Sequence, residues 1–259
     1  MGKLDGRVAV ITAGTRSIGR GIAEAFLAEG AKVVVSGRSA EKGAAAVSEM
    51  GGSNVHFIAA DATSQADIEA LVDGTVAHFG RLDIAVFNAG GVDQTSMLAD
   101  FTDAEWQYEL NFNLNQCFWG LRRSLKYMLP QQYGRIMLMS SMYGKIATAG
   151  VGGYITNKHA IIGLAKAAAH EVGTQGVTVN AICPGFVETD LFYESGPKTV
   201  AAMGLNSLDD LAAIMYSPTA IKRANTVEEV GALATLLASH EGGGFTGGAF
   251  SVDGGAAPY

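Results

Sequence analysis

Seven short apolar runs alternate with longer helical segments, and this alternation constrains the fold more than any other feature of the chain. The strand-like runs are Val8 to Thr12, Lys32 to Ser36, Val55 to Ala59, Leu82 to Phe87, Arg135 to Ser140, Thr178 to Cys183 and Ala249 to Val252. The segments with helical periodicity are Ile18 to Ala28, Ala40 to Met50, Ala66 to Phe79, Ala104 to Leu129, Tyr154 to Val172 and Val227 to Ala238. The alternation predicts an α/β fold, a Rossmann-like, doubly wound sheet of seven parallel strands flanked by helices.

The chain has no low-complexity linker, internal repeat or charge block that would divide it. We therefore predict one dinucleotide-binding domain over residues 1–259. The alternation is broken only over about residues 191–223, where Gly196-Pro197, Gly204 and Pro218 interrupt the sequence. We expect short helices in this long excursion, which is typical of an active-site lid.

Charge and hydrophobicity restrict the class of partner. The formal net charge of -7 argues against broad binding to nucleic acid or to anionic membranes, and no apolar run approaches the ~18 residues of a membrane span. The two cysteines, Cys117 and Cys183, lie among apolar residues, and we interpret both as buried thiols rather than as a disulfide framework. The charge therefore favours a small-molecule substrate. We expect a cytoplasmic protein, because the first strand begins without a hydrophobic signal segment.

A turn rich in small residues follows the first strand, where residues 12–21 read TAGTRSIGRG. Unpaired N–H groups and the positive end of the helix dipole can hold a pyrophosphate at such a turn, and small residues allow close approach. Alone, the segment also fits an ordinary strand-to-helix turn. The residues expected to contact a dinucleotide here are Thr12, Gly14, Thr15, Arg16, Ser17, Ile18 and Gly19.

The end of the second strand bears on the choice of dinucleotide. The sequence Ser36-Gly37-Arg38-Ser39 lacks the acidic residue that binds a ribose 2′-hydroxyl in NAD sites. Arg38 could instead bind a 2′-phosphate, together with Arg16. The prediction is NADP(H) in preference to NAD(H).

Tyr154 and Lys158 lie four residues apart on a predicted helix, so their side chains share one face. A nearby cation favours phenolate, and we therefore expect Lys158 to lower the pKa of Tyr154 and allow proton exchange with a substrate. Ser141, thirteen residues earlier at the end of the fifth strand, could hydrogen-bond a carbonyl oxygen. The Tyr-x-x-x-Lys pair is a weak signal alone, and its context gives it weight.

These motifs resemble the short-chain dehydrogenase/reductase family over nearly the whole chain. The family turn usually reads Thr-Gly-x-x-x-Gly-x-Gly, and here Ala13 and Ser17 replace its first two glycines. Both are small, so we expect the turn to survive with less room around the phosphates. The resemblance implies an NADP(H)-dependent oxidoreductase that interconverts a ketone and a secondary alcohol, and a homotetramer.

The resemblance also assigns further residues. Asn113 matches the family's fourth catalytic residue, beside Ser141, Tyr154 and Lys158, and Asn111 is the runner-up. Phe87 replaces the first Asn of the family's Asn-Asn-Ala-Gly segment, which should disturb strand hydrogen bonding more than chemistry. The implied contacts to adenine, to the cofactor beside the fourth strand and to nicotinamide are Asp61, Ala62, Asn88, Ala89, Gly90, Tyr154, Lys158, Pro184, Gly185, Val187 and Thr189.

The predicted substrate pocket is mostly apolar or aromatic, which favours an uncharged, medium-sized carbonyl compound. Its expected residues are Ser141, Met142, Tyr143, Phe186, Phe192, Tyr193, Met203, Met215 and Tyr216. The second candidate is reduction of a 3-oxoacyl (β-ketoacyl) thioester. It ranks lower because relatives that act on carrier-protein thioesters tend to have a basic rim, whereas this chain has Gln131, Gln132 and Gln175 in those neighbourhoods.

Other classes fit less well. No Gly-x-Ser-x-Gly elbow or triad order supports a serine hydrolase, and no histidine pattern supports a metal site. A sugar-nucleotide epimerase or dehydratase would need more residues after Lys158. A non-catalytic NADP-binding regulatory protein stays open, although it would have little need for all four catalytic residues.

Overall fold

Seven parallel strands form one sheet in the order β3-β2-β1-β4-β5-β6-β7, as the alternation predicts. The computed structural model describes residues 2–92 and 95–258. The strands are β1 Val8–Ile11, β2 Lys32–Gly37, β3 Val55–Ala59, β4 Ile84–Phe87, β5 Gly134–Met139, β6 Val177–Pro184 and β7 Ala249–Val252. The strand order reverses between β1 and β4, and a ligand crevice is expected outside the carboxyl ends of the strands at such a switch point.

Helices connect the strands and cover both faces of the sheet. They are α1 Ser17–Ala28, α2 Ala40–Met50, α3 Gln65–Phe79, α4 Asp103–Glu109, α5 Gln116–Gln131, α6 Gly152–Val172, α7 Asp190–Met203, α8 Leu208–Tyr216 and α9 Val227–Ala238. Side-chain caps fix several starts: Ser39, Ser64 and Thr226 each accept a hydrogen bond from a backbone N–H in the first turn. The predicted alternation is confirmed by these elements.

One apolar core lies on each face of the sheet. Leu71, Leu121 and Ile161 belong to the core beneath α3, α5 and α6. Ile22 and Leu237 belong to the core beneath α1 and α9. The central strands β1, β4, β5 and β6 are buried along their whole length and rich in apolar residues, as expected of strands covered on both faces, whereas the edge strands β3 and β7 are partly exposed.

Two helical segments differ from the prediction. The segment expected as one helix over Ala104 to Leu129 contains a π-helical stretch, Leu110–Asn115, between α4 and α5. The Gly196-Pro197 dipeptide lies inside α7 and does not end it, so the excursion holds a longer first helix than expected. Whether the chain is one domain with a lid over residues 191–223 stays a prediction.

None of the helices within residues 2–92 and 95–258 is long and apolar enough to cross a membrane. The same residues contain no cluster of three or more His, Cys, Asp or Glu side chains arranged to hold a metal ion.

Candidate active site

In the turn between β1 and α1, two residues other than glycine have a backbone conformation that is unfavourable for them. Ala13 and Ser17 have φ values of 51° and 53°, in the left-handed region that favours glycine. Gly19 has no room for a side chain, because a Cβ there would clash with the Ala13 carbonyl and lie 2.7 Å from Asn88 Nδ2. The turn has therefore kept the shape of a glycine-rich phosphate loop despite both substitutions.

Ser17 adds a second feature to this turn. Its hydroxyl oxygen is buried without a hydrogen-bond partner among the described residues, and it lies at the start of α1, where backbone N–H groups are free. A phosphate oxygen could accept from both. The tight turn, the missing side chain at Gly19 and this hydroxyl fit a bound pyrophosphate.

Thr12 joins the turn to the end of β4. Its hydroxyl oxygen accepts hydrogen bonds from the backbone N–H groups of Asn88, at 2.8 Å, and Ala89, at 2.9 Å. The Asn88 side chain donates back to the Thr12 carbonyl at 3.1 Å. Thr12 and the segment Asn88 to Gly90 therefore form one unit at the switch point.

The two candidate phosphate-binding arginines have different surroundings. Arg38 is exposed at the end of β2 and makes no ion pair with the described residues. The preceding residue, Gly37, lies beside Thr15 of the turn, since a Cβ on Gly37 would be 3.2 Å from Thr15 Oγ1. Arg16 pairs with Glu194 of α7 at 2.8 Å, which ties the turn to the excursion.

The other expected cofactor contacts also lie in loops that leave the carboxyl ends of the strands. Asp61, beyond β3, accepts hydrogen bonds at 2.8 Å from the N–H and the hydroxyl of Thr63, which fixes the carboxylate next to Ala62. Beyond β6, Gly185 donates to Val252 at 2.9 Å, and a Cβ there would lie 2.7 Å from Asp253 Cα.

The start of α7 completes this set. Thr189 is its N-cap residue, but its hydroxyl does not cap the helix. Val187 is held by a β-bridge to Asn225. The backbone at Val187 and the hydroxyl at Thr189 therefore lie on the same loop as Pro184 and Gly185, as the sequence motif requires.

Ser141, Tyr154 and Lys158 are brought together beyond β5. Lys158 Nζ lies 5.3 Å from the Tyr154 ring centroid and donates to the Met139 carbonyl at 2.8 Å. Ser140 donates to the Lys158 carbonyl at 2.7 Å, which anchors α6 to β5. The adjacent Ser141 hydrogen-bonds with the Tyr154 phenol.

The pKa of Tyr154 is raised, contrary to the sequence-based expectation. Burial is the main cause, a hydrogen bond with Ser141 opposes it, and the Glu109 carboxylate raises the pKa further. Burial also lowers the pKa of Lys158 to about 8. The expectation that Lys158 lowers the tyrosine pKa is wrong here, because loss of phenolate solvation dominates and the ammonium is directed at the Met139 carbonyl.

Asn113 lies within the π-helical stretch and is fully buried. Its Oδ1 accepts from the Gly91 N–H at 3.0 Å and its Nδ2 donates to the Gly91 carbonyl at 3.1 Å. A Cβ on Gly90 would lie 2.7 Å from Asn113 Oδ1 and 3.2 Å from Lys158 Nζ, so both atoms flank one point. Asn111, the runner-up, bonds to Gln107 and Asn115 instead.

Two buried polar residues of the site were missed in the sequence. Glu109 accepts a hydrogen bond from Asn113 Nδ2 at 2.9 Å. Gln116 donates to the Ala89 carbonyl at 2.9 Å, and Thr12 donates to Gln116 Oε1 at 3.5 Å. The spacing i, i+4, i+7 of Glu109, Asn113 and Gln116 places polar groups on one helix face and was the available signal.

The candidate substrate residues divide into two sets. Tyr143 packs edge-on against Tyr154, with 6.4 Å between ring centroids, and Phe186 packs edge-on against Phe192 at 5.1 Å, next to Tyr193. Met142 is buried beside Ser141. The second set lies at the ends of α7 and α8: Met203 is 52% exposed, and Met215 and Tyr216 are half-buried.

A small apolar cavity, also missed in the sequence, lies next to the start of α6. Its volume is about 140 Å³, and it is lined by Ser96, Met97, Leu98, Thr148, Ala149, Gly150 and Gly152. Met97 and Leu98 are strongly exposed. Leu98 packs against Gly152, two residues before Tyr154, since a Cβ on Gly152 would lie 2.5 Å from Leu98 Cδ2.

The three glutamines lie away from the catalytic residues of their own chain. Gln131 ends α5 and donates to the Leu82 carbonyl at 2.7 Å, and Gln175 precedes β6. These positions, with Gln132, lie at the amino ends of the strands, whereas Ser141 follows the carboxyl end of β5. Their lack of charge therefore says nothing about the rim of the site in the same chain.

Comparisons with known proteins identify the family. The model for "short chain dehydrogenase" matches residues 7–199. The chain belongs to this family. It is 35% identical to a 3beta-hydroxysteroid dehydrogenase of Mediterraneibacter gnavus, over 100% of this chain and 98% of that protein. It is 33% identical to the 3-oxoacyl-(acyl-carrier-protein) reductase of Escherichia coli, over 97% of each chain.

A solved structure agrees with these sequence relatives. A point variant of actinorhodin polyketide ketoreductase with NADPH superimposes with a TM-score of 0.91, covers 98% of each chain and is 30% identical. The short-chain dehydrogenase is therefore an NAD(P)-dependent oxidoreductase, and the non-catalytic alternative falls away.

Proposed function

We propose that the protein catalyses the NADP(H)-dependent interconversion of a ketone and a secondary alcohol, with Tyr154 as the proton donor in reduction. The observation that carries this proposal is the meeting of three side chains beyond β5: the half-buried Tyr154 phenol is hydrogen-bonded with Ser141, and Lys158 Nζ lies 5.3 Å from the Tyr154 ring centroid. A carbonyl oxygen that gains negative charge needs such a donor beside it.

When bound, the reduced nicotinamide supplies a hydride to the carbonyl carbon. Tyr154 gives its phenolic proton to the carbonyl oxygen, so that the C=O π bond is replaced by a C–H and an O–H bond. Ser141 donates a hydrogen bond to the same oxygen and orients it. Lys158, held by the Met139 carbonyl, binds the nicotinamide ribose, and Asn113 holds a water that links Lys158 to solvent.

The test of the reaction is NADPH-dependent reduction of a panel of ketones by the purified protein. We expect turnover of hydrophobic ketones by the wild type. Failure with every ketone and thioester, despite tight NADPH binding, would contradict the proposal.

NADP(H) preference rests on the end of β2. Arg38 is exposed beside the phosphate turn without a carboxylate partner among the described residues, and no acidic side chain stands in the adjacent sequence Ser36-Gly37-Arg38-Ser39. Arg16 would have to exchange Glu194 for the 2′-phosphate, since both side chains are about half exposed and paired with each other. Of the two arginines, Arg38 therefore carries more of the preference.

The cofactor proposal is tested by titrating wild type, Arg38→Gln and the control Arg122→Gln with NADPH and NADH. Arg122 is also an exposed arginine, but it pairs with Glu69 on α3, away from β2. We expect Arg38→Gln to lose roughly tenfold or more in NADPH affinity and little in NADH affinity, since a charge-assisted hydrogen bond contributes about 1.5–3 kcal/mol. Equal losses for both dinucleotides would contradict the role of Arg38.

The substrate we propose is an uncharged, medium-sized apolar ketone. The aromatic cluster Phe186, Phe192 and Tyr193 and the exposed Met97 and Leu98 support it, as does similarity to a hydroxysteroid dehydrogenase. A cyclic ketosteroid is the probe of choice. Its specificity constant, compared with that of a short linear ketone, measures the contribution of the apolar surface.

The alternative substrate is a 3-oxoacyl thioester, favoured by similarity to the Escherichia coli reductase. Glu188, Asp190 and Glu194 give the start of α7 an acidic character, which disfavours a negatively charged carrier protein. Efficient turnover of a 3-oxoacyl thioester without turnover of ketosteroids would reverse the order of the two substrates.

We also propose a homotetramer that pairs through α5 and α6, whose small residues allow close helix packing. Its mass in solution, measured by light scattering, distinguishes a tetramer from a dimer. The cytoplasmic location stays a prediction from the sequence.

A further inference from the structure

Glu109 is a buried acidic side chain, only 1% exposed, at the end of α4. A Cβ on Gly153, the residue before Tyr154, would lie 3.5 Å from Glu109 Cγ. The Glu109 side chain therefore packs against the first turn of α6. A carboxylate in such a position is costly unless it is hydrogen-bonded and serves neighbouring groups. The proposed proton transfer does not itself use it.

Glu109 is connected to the catalytic residues through Asn113. Its Oε2 accepts from Asn113 Nδ2 at 2.9 Å, which leaves Asn113 Oδ1 facing the Gly91 N–H at 3.0 Å. An amide can be turned over at little cost unless a partner fixes it, and an ionised acceptor selects the orientation with Nδ2 toward the carboxylate. Glu109 therefore acts together with the Gly91 backbone, which also bonds both ends of the amide, to fix which atom Asn113 presents beside Lys158.

Its charge also acts on the proton donor. The Glu109 carboxylate raises the pKa of both Tyr154 and Lys158, in each case as a smaller contribution than burial. The other titratable groups that face this cluster come from α5, β6 and the turn after β5: Cys117, Cys183 and Tyr143. Burial raises the pKa of all three.

We propose that Glu109 is a positioning residue whose carboxylate, packed against Gly153 and bonded to Asn113, helps to hold the Asn113 amide and sets the charge around the Tyr154 phenol. This inference rests on the proposed function and deepens it, because it adds a positioning residue to the same site. It concerns this chain's own side chains and can be tested without cofactor or substrate.

The test is a phenolate absorbance titration of the full-length protein. The difference in absorbance between wild type and Tyr154→Phe gives the ionisation of Tyr154 alone. The difference between Glu109→Gln and a variant that combines Glu109→Gln with Tyr154→Phe gives the ionisation of Tyr154 in the absence of the carboxylate. Glu109→Gln preserves an acceptor for Asn113. We expect the Tyr154 midpoint to move to lower pH, giving roughly threefold to tenfold more phenolate at a fixed pH below the midpoint.

Two further variants keep the proposal falsifiable. Asp103→Asn makes the same carboxylate-to-amide change on the exposed start of α4 and should leave the midpoint unchanged. Glu109→Asp keeps the charge and should also keep the midpoint near that of the wild type, which decides the question if Glu109→Gln does not fold. The proposal is overturned by an unshifted midpoint in Glu109→Gln, or by a lowered midpoint in Glu109→Asp.

The kinetic counterpart is the pH profile of reductive kcat/KM, which falls at high pH as Tyr154 loses its proton. In Glu109→Gln this fall should begin at lower pH. A purely structural role would lower kcat/KM at every pH without moving the profile. Absence of ketone reduction by the wild type would contradict the proposed function and leave the absorbance titration interpretable.

Discussion

The phosphate turn, residues 12–19, and the proton-transfer cluster, which consists of Glu109, Asn113, Ser141, Tyr154 and Lys158, lie at the same edge of the sheet but are built differently. The turn depends on backbone conformation, and it keeps its shape although Ala13 and Ser17 occupy left-handed positions. The cluster depends on polar and titratable side chains, and within it Ser141 and Glu109 each alter the pKa of Tyr154. The turn therefore accommodates small residues in place of glycine at the cost of backbone strain, whereas a substitution in the cluster would change the proton-transfer chemistry.

The largest expected effect separates two adjacent serines at the end of β5. Ser141→Ala should lower turnover by roughly 10²–10³-fold, since it removes a donor to the developing oxyanion, and should cost about 1 kcal/mol of unfolding free energy because the Tyr143 N–H loses its acceptor. Ser140→Ala removes the bond to the Lys158 carbonyl and should cost about 1–3 kcal/mol of unfolding free energy while most activity remains. Steady-state kinetics and urea unfolding of both variants provide the check, and equal losses of activity would remove the distinction between the serines.

The next effect concerns the charge on Lys158. Its pKa is lowered to about 8, below the ordinary value of 10.5, so the unfolded chain binds more protons between these values and stability rises with pH there. Relative to Lys158→Met, the wild type should gain about 3 kcal/mol of unfolding free energy from pH 8 to pH 10.5. Urea unfolding at several pH values measures this difference. A constant difference between the two proteins would mean that burial does not perturb Lys158.

Thr12→Val tests the junction between the turn and β4. The valine leaves the N–H groups of Asn88 and Ala89 without their acceptor, at a cost of about 2 kcal/mol or more. Thr15→Val is the matched control, because the Thr15 hydroxyl accepts no hydrogen bond from the described residues. Urea unfolding should separate the two variants, and similar stability for both would show that the Thr12 hydroxyl does not hold the turn.

The smallest effect is a gain in stability within the turn. Ala13→Gly and Ser17→Gly should each stabilise the protein by about 1 kcal/mol or less, because the relief of left-handed strain is partly offset by the greater freedom of the unfolded chain. Ser17→Gly should also weaken NADPH binding if its buried hydroxyl contacts a phosphate. Thermal unfolding with and without NADPH measures both, and destabilisation by either glycine would contradict the strain.

The sheet was predictable because its central strands are buried and rich in apolar residues, and the positions of Ser141, Tyr154 and Lys158 followed from motif spacing. The π-helical stretch was not predictable, since residues 110–115 have ordinary helical periodicity and the widened turn depends on Asn113 reaching Gly91. The pKa of Tyr154 was predicted in the wrong direction, because burial and the charge of Glu109, which is distant only in sequence, outweigh a cation four residues away. The sequence alone did not show that Gln131, Gln132 and Gln175 lie at the amino ends of the strands, opposite the catalytic residues, because that relation depends on the folded sheet.

The central claim is that the turn binds the dinucleotide while Tyr154 performs the proton transfer, and Tyr154→Phe tests it most directly. NADPH affinity of the variant is measured by fluorescence titration, and its turnover with the best ketone is compared with that of the wild type. We predict unchanged NADPH affinity and a loss of turnover of roughly 10²–10⁴-fold. Full turnover with intact binding would contradict the claim.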